Sequence, residues 1–246
     1  CALLILARRM ADYFSDQSPD RLRQKYPVLM QDRARYNAVD VRKKLKALAD
    51  FQDSKVVPYV VFPLDHRWIY YEIESKFLNE SRADLYRNLG NSSEFLVTVP
   101  EPRTESETRP LLLTTAFDLH CHDRGSVAFP AEVVHDEPQS GPLFASGTAI
   151  EVREANIDAK IWDRLKASWG LSGDLTGNDA RSVARDLTRV CMALGHSPAY
   201  QSEHKGALAQ DWAHVPIPRA KVLLADVAKA GKLLGALLNP VTSPAT

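Results

Sequence analysis

Residues Phe62 to Glu72 read FPLDHRWIYYE, a Pro-Leu-Asp-His-Arg turn set directly against an aromatic-rich strand. Residues from Arg67 to Ile73 that alternate on a pleated strand put Ile69, Tyr71 and Ile73 on one side and Trp68, Tyr70 and Glu72 on the other. One face then belongs to a core and the other is free for contact. Either Arg67 pairs with Asp65 to hold the turn or its guanidinium reaches outward, and for Trp68 core packing is the default for so large an aromatic.

Outward from this corner, the hydrophobic period identifies the fold. From about residue 51 to 130 the period is two: VVPYVVF, WIYYEI, EFLVTV, LLLTTAF and SVAFP are rich in Val, Ile, Phe, Tyr and Thr, which suit a pleated sheet. The intervening SRADLYRNLG reads as a short helix that Ser81 starts and Gly90 stops. PEPRTESETRP is fenced by prolines and projects into solvent as a loop. Before residue 51 the pattern is helical, in RLRQKYPVLMQDRARY and AVDVRKKLKALADF. After the Gly/Pro-rich DEPQSGPLFASG the chain is predicted helical to its end. Val183, Leu187, Val190, Cys191 and Leu194 form one apolar stripe, Gly195 ends that helix, and Ser197-Pro198 starts another. VPIP interrupts, and AKVLLADVAKAGKLLGALL resumes with Leu223, Val227, Ala230, Leu234 and Leu237 as its stripe.

The fold class is therefore α+β: a mixed or antiparallel β-sheet core flanked by an N-terminal helical segment and a C-terminal helical cap. The expected divisions are a helical coupling segment over 1–50, a β-rich core over 51–150 and a helical part over 151–246.

Composition narrows the classes. The chain has 246 residues with 31 Lys plus Arg and 31 Asp plus Glu, so no overall basic field gathers nucleic acid and any such binding rests on local clusters. No run of 18 apolar residues exists to span a membrane. Cys1, Cys121 and Cys191 are odd in number and irregular in spacing, which argues against a disulfide framework and for a reducing, cytoplasmic setting. A chain opening at Cys1 without a methionine reads as a fragment.

No convincing catalytic centre emerges. In FDLHCHDRGS, His120, Cys121, His122 and Asp123 are all zinc-ligand types, but on a strand Cys121 points away from the two histidines, and no further ligand motif completes a shell. The preferred reading is a polar strand end leading into an Asp123-Arg124-Gly125 turn, with no metal. Ser126 lies outside a Gly-x-Ser-x-Gly elbow, and glycine-rich phosphate loops are absent. The cations near the opening stretch are better placed for contact: Arg67, Lys76, Arg82 and Arg87, with Tyr70 on the face left for contact and Arg124 in its turn, make up a candidate DNA-binding set, since such side chains commonly position a DNA backbone.

The stretch VPYVVFPLDHRWIYYEIESKFLNESRADL resembles a junction in type ISP and related restriction-modification and DNA methyltransferase polypeptides, with Pro63, Asp65, Arg67, Tyr70, Tyr71, Leu78, Asn79 and Arg82 matching. ALGHSPAYQSEHKGALAQDWAHVPIP is similar to the same family's C-terminal pattern, through His196, Ser197, Pro198, Tyr200, Leu208, Asp211, Val215 and Pro216. The likeness runs from about residue 35 to 238. Phe62, Gln201 and His214 stand where the family usually has arginine.

That resemblance implies a target-recognition region that reads double-stranded DNA for an adenine-specific methyltransferase or restriction-modification enzyme of phage defence. S-adenosylmethionine and an Asn-Pro-Pro-Tyr type motif would lie in an upstream methyltransferase domain of the same polypeptide. Residues 1–50 would couple the two parts. The alternative is a non-catalytic defence or scaffold module of the same fold that binds a protein partner, and a third reading is a hydrolase using His120, His122 and Asp123.

Overall fold

The computed structural model describes residues 2–78, 83–89, 93–100, 109–118, 120–122, 125–138 and 149–238. It is α+β, as the sequence predicts. Three helices lead: α1 (Ala2–Phe14), α2 (Pro19–Lys25) and α3 (Ala38–Leu48). Ser18 caps α2 by accepting from the Arg21 N–H, with Pro19 in the first turn, and Asn37 caps α3 by accepting from Asp40. The helix expected to run through residues 21–36 stops at Lys25, because Pro27 drives Tyr26 out of the helical region.

The strands do not form one sheet. β1 (Val56–Phe62) and β2 (Asp65–Tyr70) make an antiparallel hairpin, and β5 (Ala116–Phe117) adds in parallel to the other side of β1. β3 (Phe95–Thr98) lies between β4 (Leu111–Leu113) and β6 (Val127–Pro130), both antiparallel to it. LLLTTAF thus divides at Thr114-Thr115 and feeds two sheets. The short helix α4 (Ala83–Asn88) occupies its predicted place; the proposed cap Ser81 and stop Gly90 lie outside the described residues, as does most of PEPRTESETRP.

A hairpin that begins within the expected β-rich core and runs past residue 150 into the part read as helical is the main correction. β7 (Glu132–Pro138) pairs antiparallel with β8 (Ala149–Ala155), from Glu132 opposite Ala155 to Pro138 opposite Ala149. In AIEVREA only Ile150 and Val152, with Glu151 between them, show the alternation, and Arg153 and Glu154 end it after one period.

The chain then forms α5 (Ala159–Trp169), α6 (Asn178–Gly195), α7 (Pro198–Glu203), α8 (Lys205–Leu208) and α9 (Lys221–Leu238). Ser197 caps α7 as expected, accepting from Tyr200. Gly195 is the last residue of α6, and its role is close approach: a Cβ there would collide with the Pro110 ring.

The buried face of α9 differs from the predicted one. Leu224, Ala228, Gly231 and Gly235 face inward, while Leu223 and Leu237 are exposed. Small residues let the helix lie directly on α6, where a Cβ at Gly231 would meet the Arg189 carbonyl, and on β4, where one at Gly235 would come within 2.7 Å of Leu112.

Three apolar clusters form among the described residues. Met10, Tyr13, Leu22, Met30 and Leu45 join Tyr70 of β2, so the leading helices pack on the hairpin. Val60, Phe95, Leu113 and Phe117 bind the two three-stranded sheets together. Trp162, Leu165, Val183, Val190, Leu224 and Ala228 form the core of the C-terminal helices. Among the described residues no helix is long and apolar enough to cross a membrane.

Candidate nucleic-acid interface

The corner at PLDHR is a tight hairpin turn. Phe62 faces Asp65 across Pro63-Leu64, and Leu64 has a positive φ of 66°, the conformation a turn needs after proline and one a leucine adopts at a cost. Asp65 and Arg67, two apart on one face of β2, form a bidentate pair: Arg67 donates through Nε to Oδ1 at 3.0 Å and through Nη2 to Oδ2 at 2.8 Å. The guanidinium beside Asp65 holds its carboxyl below the usual carboxylate range. Both readings of Arg67 are compatible with this, because the brace leaves the side chain 64% exposed. Exposed Phe62 and Leu64 flank it.

The other described candidates do not gather around Arg67. Tyr70, expected on the contact face, is 2% exposed and lies among the rings of Phe14, Phe51 and Phe77. Helices α1 to α3 cover the side of the strand that alternation alone leaves open. Trp68 is half-buried. Lys76 is exposed with a positive φ of 64°, in the loop beyond the other end of β2. That loop is organised by Glu72, whose carboxylate accepts from the N–H groups of Glu74 at 2.6 Å and Ser75 at 3.0 Å and from the Ser75 hydroxyl. Arg87 on α4 donates to Asp136 on β7 and borders a cleft of about 460 Å³ that it shares with Thr114, Thr115, Glu151 and Arg153. Arg82 and Arg124 lie outside the described residues.

At the other candidate centre, Cys121 is buried, and burial followed by the nearby Asp118 carboxylate pushes its thiol up to about 12. His122 Nε2 lies 2.6 Å from the Arg109 carbonyl, and Asp123 lies outside the described residues. Cys191, half-buried on α6, is pushed up to about 11 by burial. Neither thiol is set up as a nucleophile.

The strongest cationic series was not singled out from sequence. Arg181, Arg185 and Arg189 stand four apart on one face of α6, a spacing that looks like a backbone-reading row. They are turned inward instead. Arg185 pairs with Glu132 at 2.8 Å, Arg181 reaches the same carboxylate at 4.0 Å, and Arg189 grips Glu94 at 2.7 Å. The matching signal was two glutamates, Glu94 and Glu132, at the borders of apolar strands.

The HSPxY segment has a fastening role. His196 Nε2 lies 2.9 Å from the Pro110 carbonyl, the Tyr200 hydroxyl donates to the His214 carbonyl at 2.9 Å, and Gln201 donates to Gly195 at 2.7 Å. These bonds tie α6, α7 and the 209–218 segment to the sheet.

This arrangement of helices and small sheets has known counterparts. The chain belongs to the Type ISP C-terminal specificity domain family, whose model matches residues 5–239. Its fold is similar to part of the ATP-dependent Type ISP restriction-modification enzyme LlaBIII bound to DNA, with a TM-score of 0.54 and 17% identity over 98% of this chain and 14% of that one. It is also similar to part of DrdV in a DrdV–DNA complex, with a TM-score of 0.51 and 14% identity over 94% of this chain and 20% of that one. The chain therefore spans about a seventh and a fifth of those polypeptides. No curated protein matches it.

Proposed function

We propose that this domain recognises a double-stranded DNA sequence for a restriction-modification enzyme. The carrying observation is membership of the specificity-domain family across residues 5–239. The likeness to portions of two enzymes whose structures contain DNA supports it. Side chains on loops and strand ends read base edges in the major groove, while exposed Arg and Lys fix register on phosphates. Arg67 and Lys76 are the described candidates best exposed for the second task.

Methyl transfer belongs in this reading to an upstream domain of the same polypeptide, which binds S-adenosylmethionine and receives an extruded adenine. The present sequence contains no Asn-Pro-Pro-Tyr motif, so its own residues supply selection and orientation of the duplex. The test is selection by the 246-residue chain from a pool of randomised duplexes, followed by binding measurements across salt concentrations. Enrichment of one sequence with affinity falling steeply in salt is expected. Absence of duplex binding at low salt would favour the protein-binding module instead.

A further inference from the structure

The zero net charge conceals a division. Residues 1–50 carry eleven Lys or Arg against six Asp or Glu, an excess of five, and the remainder carries the opposite balance. Such asymmetry along a chain points to a polyanion partner for the basic part.

The structure concentrates the excess in one place. A cleft of about 720 Å³ opens between α1, α2 and the 26–36 segment, and its walls include Arg9, Lys25, Arg33 and Arg35 but no Asp or Glu. Lys25 is engaged by Asp12 at 2.6 Å. Arg9, Arg33 and Arg35 are exposed and form no ion pair among the described residues. Two carboxylates of the same segment are engaged by other groups: Asp12 by Lys25 and the Tyr26 hydroxyl, Asp32 by the Ala38 N–H at 2.8 Å and by Arg23 at 4.0 Å.

The backbone that carries Arg33 and Arg35 is also held in place. Arg33 and Tyr36 exchange backbone hydrogen bonds of 2.9 and 3.0 Å, closing a four-residue turn with Arg35 near its tip. Met30, fully buried, anchors the segment below. Tyr26, Tyr36 and Phe77 supply a half-buried aromatic floor. Guanidinium groups match phosphate oxygens bidentately, and their planar fork loses less freedom per hydrogen bond formed than a lysine ammonium does.

From this geometry we infer that the N-terminal helical part is itself a DNA-contacting surface, with Arg9, Arg33 and Arg35 gripping the sugar-phosphate backbone of the duplex beside the recognised site. The inference rests on the proposed DNA reading and adds the place where sequence-independent affinity resides. A segment assigned only to coupling thus takes part in binding.

The test compares the chain with its Arg33→Ala/Arg35→Ala and Arg33→Lys/Arg35→Lys variants on the selected duplex and on an unrelated one, over a salt series. In the alanine pair, affinity is expected to fall roughly tenfold or more on both duplexes at low salt, with the slope of log affinity against log salt shallower by about 2, close to 0.9 for each phosphate that is no longer neutralised. The ratio between duplexes stays constant, and the lysine pair restores most of the slope. Unchanged affinity and slope in folded alanine variants, beside a parent chain that binds DNA, overturn the inference and leave the recognition reading standing. A change in the ratio alone overturns it too, by making these arginines base readers. A parent chain that binds no duplex sinks both.

Discussion

Arg189 on α6 closes on Glu94 across 95 residues of sequence, donating through Nη2 to Oε1 at 2.7 Å and through Nε to Oε2 at 2.9 Å, while Nη1 reaches Asp186 at 3.0 Å. Glu94 enters β3, and its carbonyl accepts from the Ala131 N–H, so the pair joins α6 to the sheet where β6 passes into β7. Arg185 repeats the arrangement with Glu132, one turn away. Removing Arg189 strands a carboxylate that is 9% exposed, and removing Glu94 leaves the guanidinium, 19% exposed, with Asp186 alone.

Glu94→Ala is therefore expected to lower stability by about 3 kcal/mol, the lower end for a broken buried pair. Replacing both partners, Glu94→Leu with Arg189→Met, costs less than the two single changes together. Urea unfolding of the parent, Glu94→Ala, Glu94→Leu, Arg189→Met and the double variant measures this. Additive losses would show that the two side chains act independently.

Gly231 gives the second prediction. Alanine is the better helix former by about 1 kcal/mol, so an exposed position would gain from Gly231→Ala. Here the added methyl meets the Arg189 backbone. Separating α9 from α6 outweighs propensity, and a net loss of about 1–3 kcal/mol is expected. A raised unfolding midpoint would mean the helices part at no cost.

The same glycine explains what the sequence hid. Caps such as Ser197 and the stripe on α6 were legible because they depend on neighbours in sequence. The inward face of α9 was not, since it is made by small residues whose value lies in close approach rather than in hydropathy. Strand pairing was equally distant: nothing in LLLTTAF tells which sheet takes Leu113 and which takes Phe117. At the candidate interface, the Asp65–Arg67 brace was readable from two residues of spacing, whereas the burial of Tyr70 required α1 and α3. The arginine cleft draws its walls from separate elements, and only the uneven distribution of charge pointed toward it.

Glu72 gives the chain a pH dependence. Burial raises its pKa, but the Ser75 hydroxyl, the N–H groups of Glu74 and Ser75 and the Lys55 charge together outweigh that, and the group ends below the ordinary value of 4.5. A folded pKa below the unfolded one means the unfolded chain binds the proton more readily, so the contribution is complete above about 4.5 and is lost as pH falls through the depressed value. Glu72→Gln should cost about 1–2 kcal/mol at neutral pH, from charged-acceptor bonds replaced by weaker ones. The gap from the parent should narrow in acid. A gap that stays constant from pH 7 to about pH 3 would assign the loss to packing of the loop rather than to the carboxylate.

Arg67 and Asp65 make opposite predictions for DNA. Asp65 lies beside the guanidinium and partly neutralises it, so Asp65→Asn leaves Arg67 in place and adds one positive charge to the corner. Affinity for every duplex should rise at low salt, and the gain should fade as the Debye length contracts from about 10 Å at 0.1 M salt to about 3 Å at 1 M. Arg67→Ala should instead weaken binding on all sequences and reduce the salt slope by roughly 1, with the ratio between target and unrelated duplexes preserved. Fluorescence anisotropy with two labelled duplexes reads both variants. Because the pair stands in solvent on the outer face of β2, neither change should move the unfolding midpoint appreciably. If Arg67→Ala leaves DNA affinity untouched, the phosphate contacts near this hairpin come from other side chains.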